Sequence, residues 1–242
     1  MLDFSQFEFL TFDCYGTLID WETGILSALH PILAAHGKAI SDSELLKLYS
    51  EIESEAEQGG FHPYREVLQS VVRGFGERLG FKPTESEQHA LPNSLTGWLP
   101  FPDTVAALHK LKSRYRLAIV SNIDDDLFAA TGRRLALDFD HVITAQQARA
   151  YKPSLQIFKL AQRRIGVSPA KWLHVGQSIY HDVIPAKSLG IATVWVNRAS
   201  PRPGAGAAKV ALGEPGLEVS NLRELADLAT AAQAPALRSA NR

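Results

Sequence analysis

Four polar stations along this chain have the side chains that nucleophilic chemistry on a small anionic substrate needs. Asp13 closes the apolar run of FLTFDCYGTLIDW and is followed by Gly16 and Thr17. A carboxylate held at the tip of a buried strand can attack an electrophile. Thr17 can donate a hydrogen bond to it, and Gly16 lets the backbone approach closely. Ser121 and Asn122 follow the apolar run LAIV and offer donors where a helix begins, a setting suited to an anionic group. Lys152 precedes Pro153 in AYKPSLQIF, and a proline in the first turn of a helix would fix the ammonium at the same mouth. Asp182 comes shortly after Gln177 and Ser178, beyond a further apolar run. Plainer readings stand beside these: Asp13 and Ser121-Asn122 as caps, and Lys152 as a solvated cation. Asp124, Asp125 and Asp126 read as first-turn acids favoured by a helix dipole, not as a metal site.

The elements that must hold these residues follow from the apolar pattern. Short runs rich in β-branched and aromatic residues, at Phe7–Phe12, Leu117–Val120, His141–Thr144, Trp172–Val175 and Ala192–Val196, alternate with stretches of helical period. That rhythm predicts an α/β fold with a Rossmann-like parallel sheet core. Ligands of such sheets bind at the carboxyl ends of the strands, where the polar stations fall. Residues 21–97 have helical character and exceed what a strand-to-strand crossover needs. Ser41 and Glu44 form a capping-box pattern ahead of Leu45, Leu46, Leu48 and Ile52, and HPYREVLQSVVRGFGERLG predicts a second amphipathic helix ending at Gly80. The expected organisation is an α/β core from residues 1–20 and 98–230 and an inserted helical module at 21–97 that covers the site. Residues 231–242 are expected to be a disordered tail. A Pro/Gly/Ala-rich loop follows Val196; its Gly204, Gly206 and Lys209 neither follow a strand directly nor open a helix, so no phosphate-binding loop is read there.

Bulk composition narrows the function classes. The 242 residues are 45% hydrophobic, enough for a substantial core. With 25 basic against 26 acidic residues, nothing argues for nucleic acid or an anionic membrane as partner. Cys14 is the only cysteine, so neither a disulfide framework nor a cysteine-based zinc site is expected. No window approaches the length of a membrane helix. A small-molecule enzyme of the cytoplasm is the expectation.

Taken in order, Asp13 with its Gly-Thr turn, Ser121-Asn122, Lys152-Pro153 and Asp182 resemble the four motifs of the haloacid dehalogenase superfamily. The resemblance implies that Asp13 is the nucleophile, that Ser121 binds the substrate anion, that Lys152 balances charge around Asp13, and that residues 21–97 are a cap domain. Superfamily phosphatases carry a second Asp two residues after the nucleophile, to protonate a leaving alkoxide. Tyr15 stands there. They also carry a Gly-Asp that binds magnesium, where this chain has Gly176-Gln177.

DCYGTL is similar instead to the Asp-x-Tyr-Gly-Thr-Leu of the L-2-haloacid dehalogenase branch. That likeness implies a hydrolase without metal or cofactor. Asp13 would displace halide from C2 of a short 2-haloalkanoate to give an aspartyl ester, which water hydrolyses to the 2-hydroxy acid with inversion. Ser121 and Asn122 would hold the substrate carboxylate, Lys152 and Asp182 would form a pair, and Ser178 would orient water. Tyr15, Trp21 and Tyr64, with Phe61 and Trp98, are candidates for the substrate lining, and Arg65 is the nearest candidate for receiving halide. A homodimer is also implied. Phe158 replaces a tyrosine of the branch, and GQSIYHD is one residue longer than its usual spacing. The alternatives are a magnesium-dependent phosphatase, and a hydrolase of another C2-substituted carboxylate such as azetidine-2-carboxylate, in which His181 would have a part.

Overall fold

The computed structural model describes residues 2–198, 206–209 and 211–231. Of the expected tail, Ala231 instead closes the last helix, and residues 232–242, like Gly204, lie outside the described residues.

Among these residues six parallel strands form one sheet: β1 (Phe9–Phe12), β2 (Arg116–Ser121), β3 (His141–Thr144), β4 (Trp172–Gly176), β5 (Ala192–Val196) and β6 (Leu217–Val219). Their order is β3-β2-β1-β4-β5-β6. β1 is central, with Phe9 opposite Arg116 and Trp172 and Phe12 opposite Ile119 and Val175. All four of its residues are buried, which is why it reads as an unbroken apolar run and not an alternating one. Successive strands build outward from β1 on one side, then resume beside it at β4. The crevice between the carboxyl ends of β1 and β4 is therefore the topological switch point, where open α/β sheets bind ligands.

Helices α5 (Thr104–Lys112), α6 (Asp125–Leu135) and α10 (Leu222–Ala231) bury Leu108, Leu111, Leu127, Leu222 and Leu225 with Leu10 and Phe12 in one core. The short α7 (Ala145–Ala148) follows β3. Helices α8 (Leu155–Ile165) and α9 (Ile184–Ser188) cover the other face, where Ile157, Phe158 and Ala186 join Phe9, Val120 and Trp172.

Between β1 and α5 run α1 (Trp21–Ala35), α2 (Asp42–Ala56), α3 (Tyr64–Leu79) and α4 (Glu85–Ser94). The Ser41/Glu44 capping box forms at the start of α2, and Gly80 ends α3 in the left-handed conformation, both as the sequence predicts. The chain enters and leaves this insertion through one packed joint: a Cβ on Gly24 would lie 2.4 Å from the Trp98 ring. The Asp20 amide donates to the Leu99 carbonyl beside it.

Two local expectations are corrected. Pro153 does not open a helix: the Lys152–Pro153 bond is cis, Ser154 is the N-cap, and α8 begins at Leu155. Asn122 does not start α6 either, because Asp124 is its N-cap and Asp125 its first residue.

Candidate active site

Asp13 leaves the end of β1 directly into the crevice, and Gly16, at φ +87°, makes the turn that follows. A side chain at Gly16 would also meet Trp21 Nε1 at 3.0 Å. The turn folds Thr17 back so that its hydroxyl donates to Asp13 Oδ2 at 2.8 Å and accepts the Gln177 amide at 2.9 Å. Arg198 braces the same turn, donating to the Thr17 carbonyl while pairing with Asp103.

Lys152 lies beneath this carboxylate, 1% exposed. Its Nζ donates at 2.7 Å to Asp13 Oδ1, at 2.7 Å to Asp182 Oδ1 and at 3.1 Å to the Val120 carbonyl, so all three donors are used. Asn122 fixes its backbone, accepting from the Lys152 amide and donating to the Lys152 carbonyl. Asn122 thus positions the lysine, a job its place after β2 did not reveal.

A polar chain through the sheet holds Asp182. Trp172 Nε1 donates to the Thr11 hydroxyl at 2.7 Å, Thr11 contacts His174 Nδ1 at 2.8 Å, and His174 Nε2 faces Asp182 Oδ1 at 3.1 Å. With Trp172 donating at one end and the Asp182 carboxylate accepting at the other, this chain fixes the orientation of the His174 ring. Gly176 makes room: a Cβ there would lie 2.4 Å from Asp182 Cγ. The additional residue of GQSIYHD is taken up in a π-helical turn, Ile179–Val183, where the Val183 amide reaches the Ser178 carbonyl five residues back. The turn brings Ser178 and His181 together, 3.1 Å apart, at the mouth.

Electrostatics follow from two carboxylates sharing one buried ammonium. Burial opposes ionisation of Asp182, yet Lys152 and His174 hold it well below the usual carboxylate range. Burial raises Asp13, and Asp182 adds to the rise, against the pull of Lys152 and Thr17. Burial alone would lower Lys152, but the two carboxylates overcome it and raise it. Asp13 is therefore a desolvated, basic carboxylate beside a fixed cation, a suitable nucleophile. Burial lowers His181 to about 4, so it is neutral at pH 7.

Asp13, Tyr15, Ser121, Asn122, Lys152, Ser178 and Asp182 all border one cavity, together with Gln177 and His181 from the strand ends. The inserted helices supply Trp21, Tyr64, Glu53 and Glu57. Its free volume is about 60 Å³, a few times the 10–15 Å³ or so that one water needs, which suits an acid of a few carbons. Ser121 makes no side-chain hydrogen bond among the described residues and is available to a substrate.

Arg65 is not brought to this cavity. Its guanidinium pairs with Asp126 at 2.8 Å and reaches Asn93, because its place on α3 turns it toward the start of α6. Phe61 stacks near Tyr151 outside the cavity, and Trp98 packs on Tyr15 and Gly24. Nor is Asp124 merely a first-turn acid: its two oxygens accept the Tyr64 and Arg65 amides, capping α3 from the sheet layer. Glu53 and Glu57 escaped the sequence reading. The one available signal is the i, i+4 row of Tyr49 and Glu53 on α2 and Glu57 at its C-cap, which on an isolated helix looks like a solvated flank.

A magnesium ion does not fit this donor set. Lys152 Nζ already lies between Asp13 and Asp182, and position 177 offers an amide in place of a carboxylate. Among the described residues no cluster of three metal-ligating side chains forms. No described helix is long and apolar enough to cross a membrane.

Known proteins similar to this chain include both dehalogenases and a phosphatase. A (S)-2-haloacid dehalogenase H-109 of Pseudomonas putida is 27% identical over 224 residues, covering 91% of this chain and 96% of its own. A glyceraldehyde 3-phosphate phosphatase of Methanothermobacter thermautotrophicus is 31% identical over 180 residues, covering 71% of this chain and 75% of its own. The L-2-haloacid dehalogenase of Xanthobacter autotrophicus, solved with chloropropionic acid covalently bound, superposes with a TM-score of 0.78 at 21% identity, over 94% of this chain and all of that one. The family model of the haloacid dehalogenase-like hydrolases matches residues 8–190, the span that carries β1, the inserted helices and every residue of the Asp13–Lys152–Asp182 cluster, and the chain belongs to that family.

Proposed function

We propose that this hydrolase acts without a metal on a small 2-substituted carboxylate, the class to which 2-haloalkanoates belong, and replaces the C2 substituent by hydroxyl through an ester on Asp13. The observation that carries the reading is the Lys152 ammonium, 2.7 Å from both Asp13 and Asp182, in a site with Tyr15 and Gln177 where phosphoryl transfer needs carboxylates.

In this mechanism Asp13 Oδ attacks C2 from the strand side, and the bond to the leaving group breaks on the far side. Thr17 and Lys152 keep the carboxylate ionised and aimed, while Ser121 holds the substrate carboxylate. Water, oriented by Ser178 and His181, then attacks the ester carbonyl of Asp13 and frees the 2-hydroxy acid with inverted configuration. The helices α1–α4 act as a cap that closes over the site and excludes bulk water. The same proposal has the enzyme in the cytoplasm, in keeping with its single buried cysteine, and as a homodimer, which light scattering would test.

The test is formation of 2-hydroxy acid from 2-chloro- and 2-bromopropionate with chelator present, beside a panel of phosphate esters with magnesium. Turnover of the haloacids in chelator supports the reading. Magnesium-dependent turnover of phosphate esters alone, the activity named for the 31% identical relative, would defeat it.

A further inference from the structure

The reacting carbon C2 carries four groups, and the site accounts for three of them. The carboxylate goes to Ser121, the leaving group departs opposite Asp13, and hydrogen needs no room. The fourth, the C3 chain, has to find its way out of a cavity of about 60 Å³. A second cavity, of about 460 Å³, adjoins the first. Glu57, Lys152 and His181 border both, so this boundary is where a longer C3 chain would pass.

The second cavity differs in charge from the wall of Glu53 and Glu57 above the first. Phe61, Arg149, Tyr151, Tyr180 and Lys209 contribute to its lining. The Arg149 guanidinium lies 5.0 Å from the centre of the Phe61 ring, and Lys209 Nζ lies 4.2 Å from that of Tyr180. Both cations are exposed, and neither has a carboxylate partner among the described residues. The Tyr151 hydroxyl donates to the His62 carbonyl at 2.7 Å, which ties the two sides of the cavity together. Arg149 also holds a costly backbone shape, since it follows α7 at φ +54° and ψ 34°. That left-handed position favours glycine or asparagine, so a long cationic side chain stands there against the local preference.

Building on the reading of Asp13 as a carbon nucleophile, we infer that the second cavity is a subsite for a distal carboxylate, and that the substrate is a 2-substituted dicarboxylic acid. Its reacting end occupies the first cavity, its C3 chain crosses the boundary at Glu57 and His181, and its far carboxylate reaches Arg149 and Lys209. The planar guanidinium fork matches a carboxylate. The ring faces beside the two cations hold them in place without neutralising them. The boundary does not repel such an anion. Burial, and after it the charge of Glu53, pushes the Glu57 carboxyl well above its ordinary range, which favours its neutral form. Burial lowers His181 to about 4, so its imidazole is neutral too.

The experiment measures bromide release, with chelator present, from pairs of acids of equal chain length that differ only at the far end. The pairs are 2-bromosuccinate with 2-bromobutyrate, 2-bromoglutarate with 2-bromopentanoate, and 2-bromoadipate with 2-bromohexanoate. Wild type is expected to favour the diacid of at least one pair by about 10-fold or more in kcat/KM, chiefly through KM. Arg149→Gly and Lys209→Ala are each expected to cut that ratio several-fold. Glycine suits the left-handed position, so thermal melting of Arg149→Gly should be unchanged or raised, and damage to the fold would not explain a lost preference. Turnover of bromoacids with no diacid favoured, or a preference that both variants keep, overturns the inference and leaves Asp13 as a carbon nucleophile. Bromide release from none of these acids, with magnesium-dependent turnover of phosphate esters, overturns both.

Discussion

The Nζ of Lys152 and Oδ1 of Asp13 lie 2.7 Å apart in a pair whose lysine is 1% exposed, although the two residues are 139 positions apart in sequence. The sheet order creates this contact by setting β1 between β2 and β4, with the loop from β3 passing beneath. Replacing Lys152 by Met strands two buried carboxylates. The expected outcome is a stability loss of about 3–5 kcal/mol in urea denaturation, and a kcat lowered by about 10²–10³-fold.

Gly176 is needed for closeness and not for its backbone angles. A methyl at this position would lie 2.4 Å from Asp182 Cγ and drive that carboxylate off Lys152 and His174. Gly176→Ala is expected to cost about 1–3 kcal/mol and to lower kcat. Gly97→Ala, where a Cβ meets nothing within 4 Å, should leave both unchanged. Thermal melts and steady-state rates on the two proteins make the comparison.

Asp124 ties the inserted helices to the sheet by capping α3 from another element. Asp124→Ala removes both acceptors, at a cost of about 1–2 kcal/mol. Since Tyr64 is the first residue of α3 and borders the cavity, KM should rise several-fold while kcat changes less. Initial rates over a range of substrate concentration would show the split.

Two pH effects have determined signs. Asp13 must be ionised to attack, and its pKa is raised by burial, so kcat/KM should fall on the acid side at a pH above the ordinary aspartate value. His181 has a folded value of about 4 against 6.5 unfolded, so between those limits the unfolded chain binds the additional proton. Stability is therefore lost as pH falls from 6.5 to 4, at up to about 1.4 kcal/mol per pH unit from this group. His181→Phe should flatten that slope in denaturant titrations, and an unchanged slope would contradict the assignment.

The sequence made the strands and their polar tips legible because β1, β2 and β4 are buried on both faces, so each apolar run ends abruptly where the chain reaches the mouth. Asp13, Ser121, Lys152 and Asp182 are all found beside such ends. The wall facing them was not legible. Glu53 and Glu57 sit beside the Leu45, Tyr49 and Ile52 stripe of α2, and only the docking of α2 over the strand ends makes them cavity residues. Arg65 failed for the same reason: its helix was foreseen, but its facing toward Asp126 depends on how α3 meets α6. The polar row Trp172, Thr11, His174 was hidden inside strands, where period alone cannot tell a packed side chain from a hydrogen-bonded one.

The covalent role of Asp13 is tested most directly by a single turnover, enzyme in excess, in water enriched in heavy oxygen, followed by mass spectrometry of the Asp13 peptide and of the product. Heavy oxygen in the Asp13 carboxylate, with none in the first-formed 2-hydroxy acid, is the predicted result, since water attacks the ester at the aspartyl carbonyl. Heavy oxygen in the product and none in the Asp13 peptide would mean that water attacks the substrate itself, contrary to the mechanism.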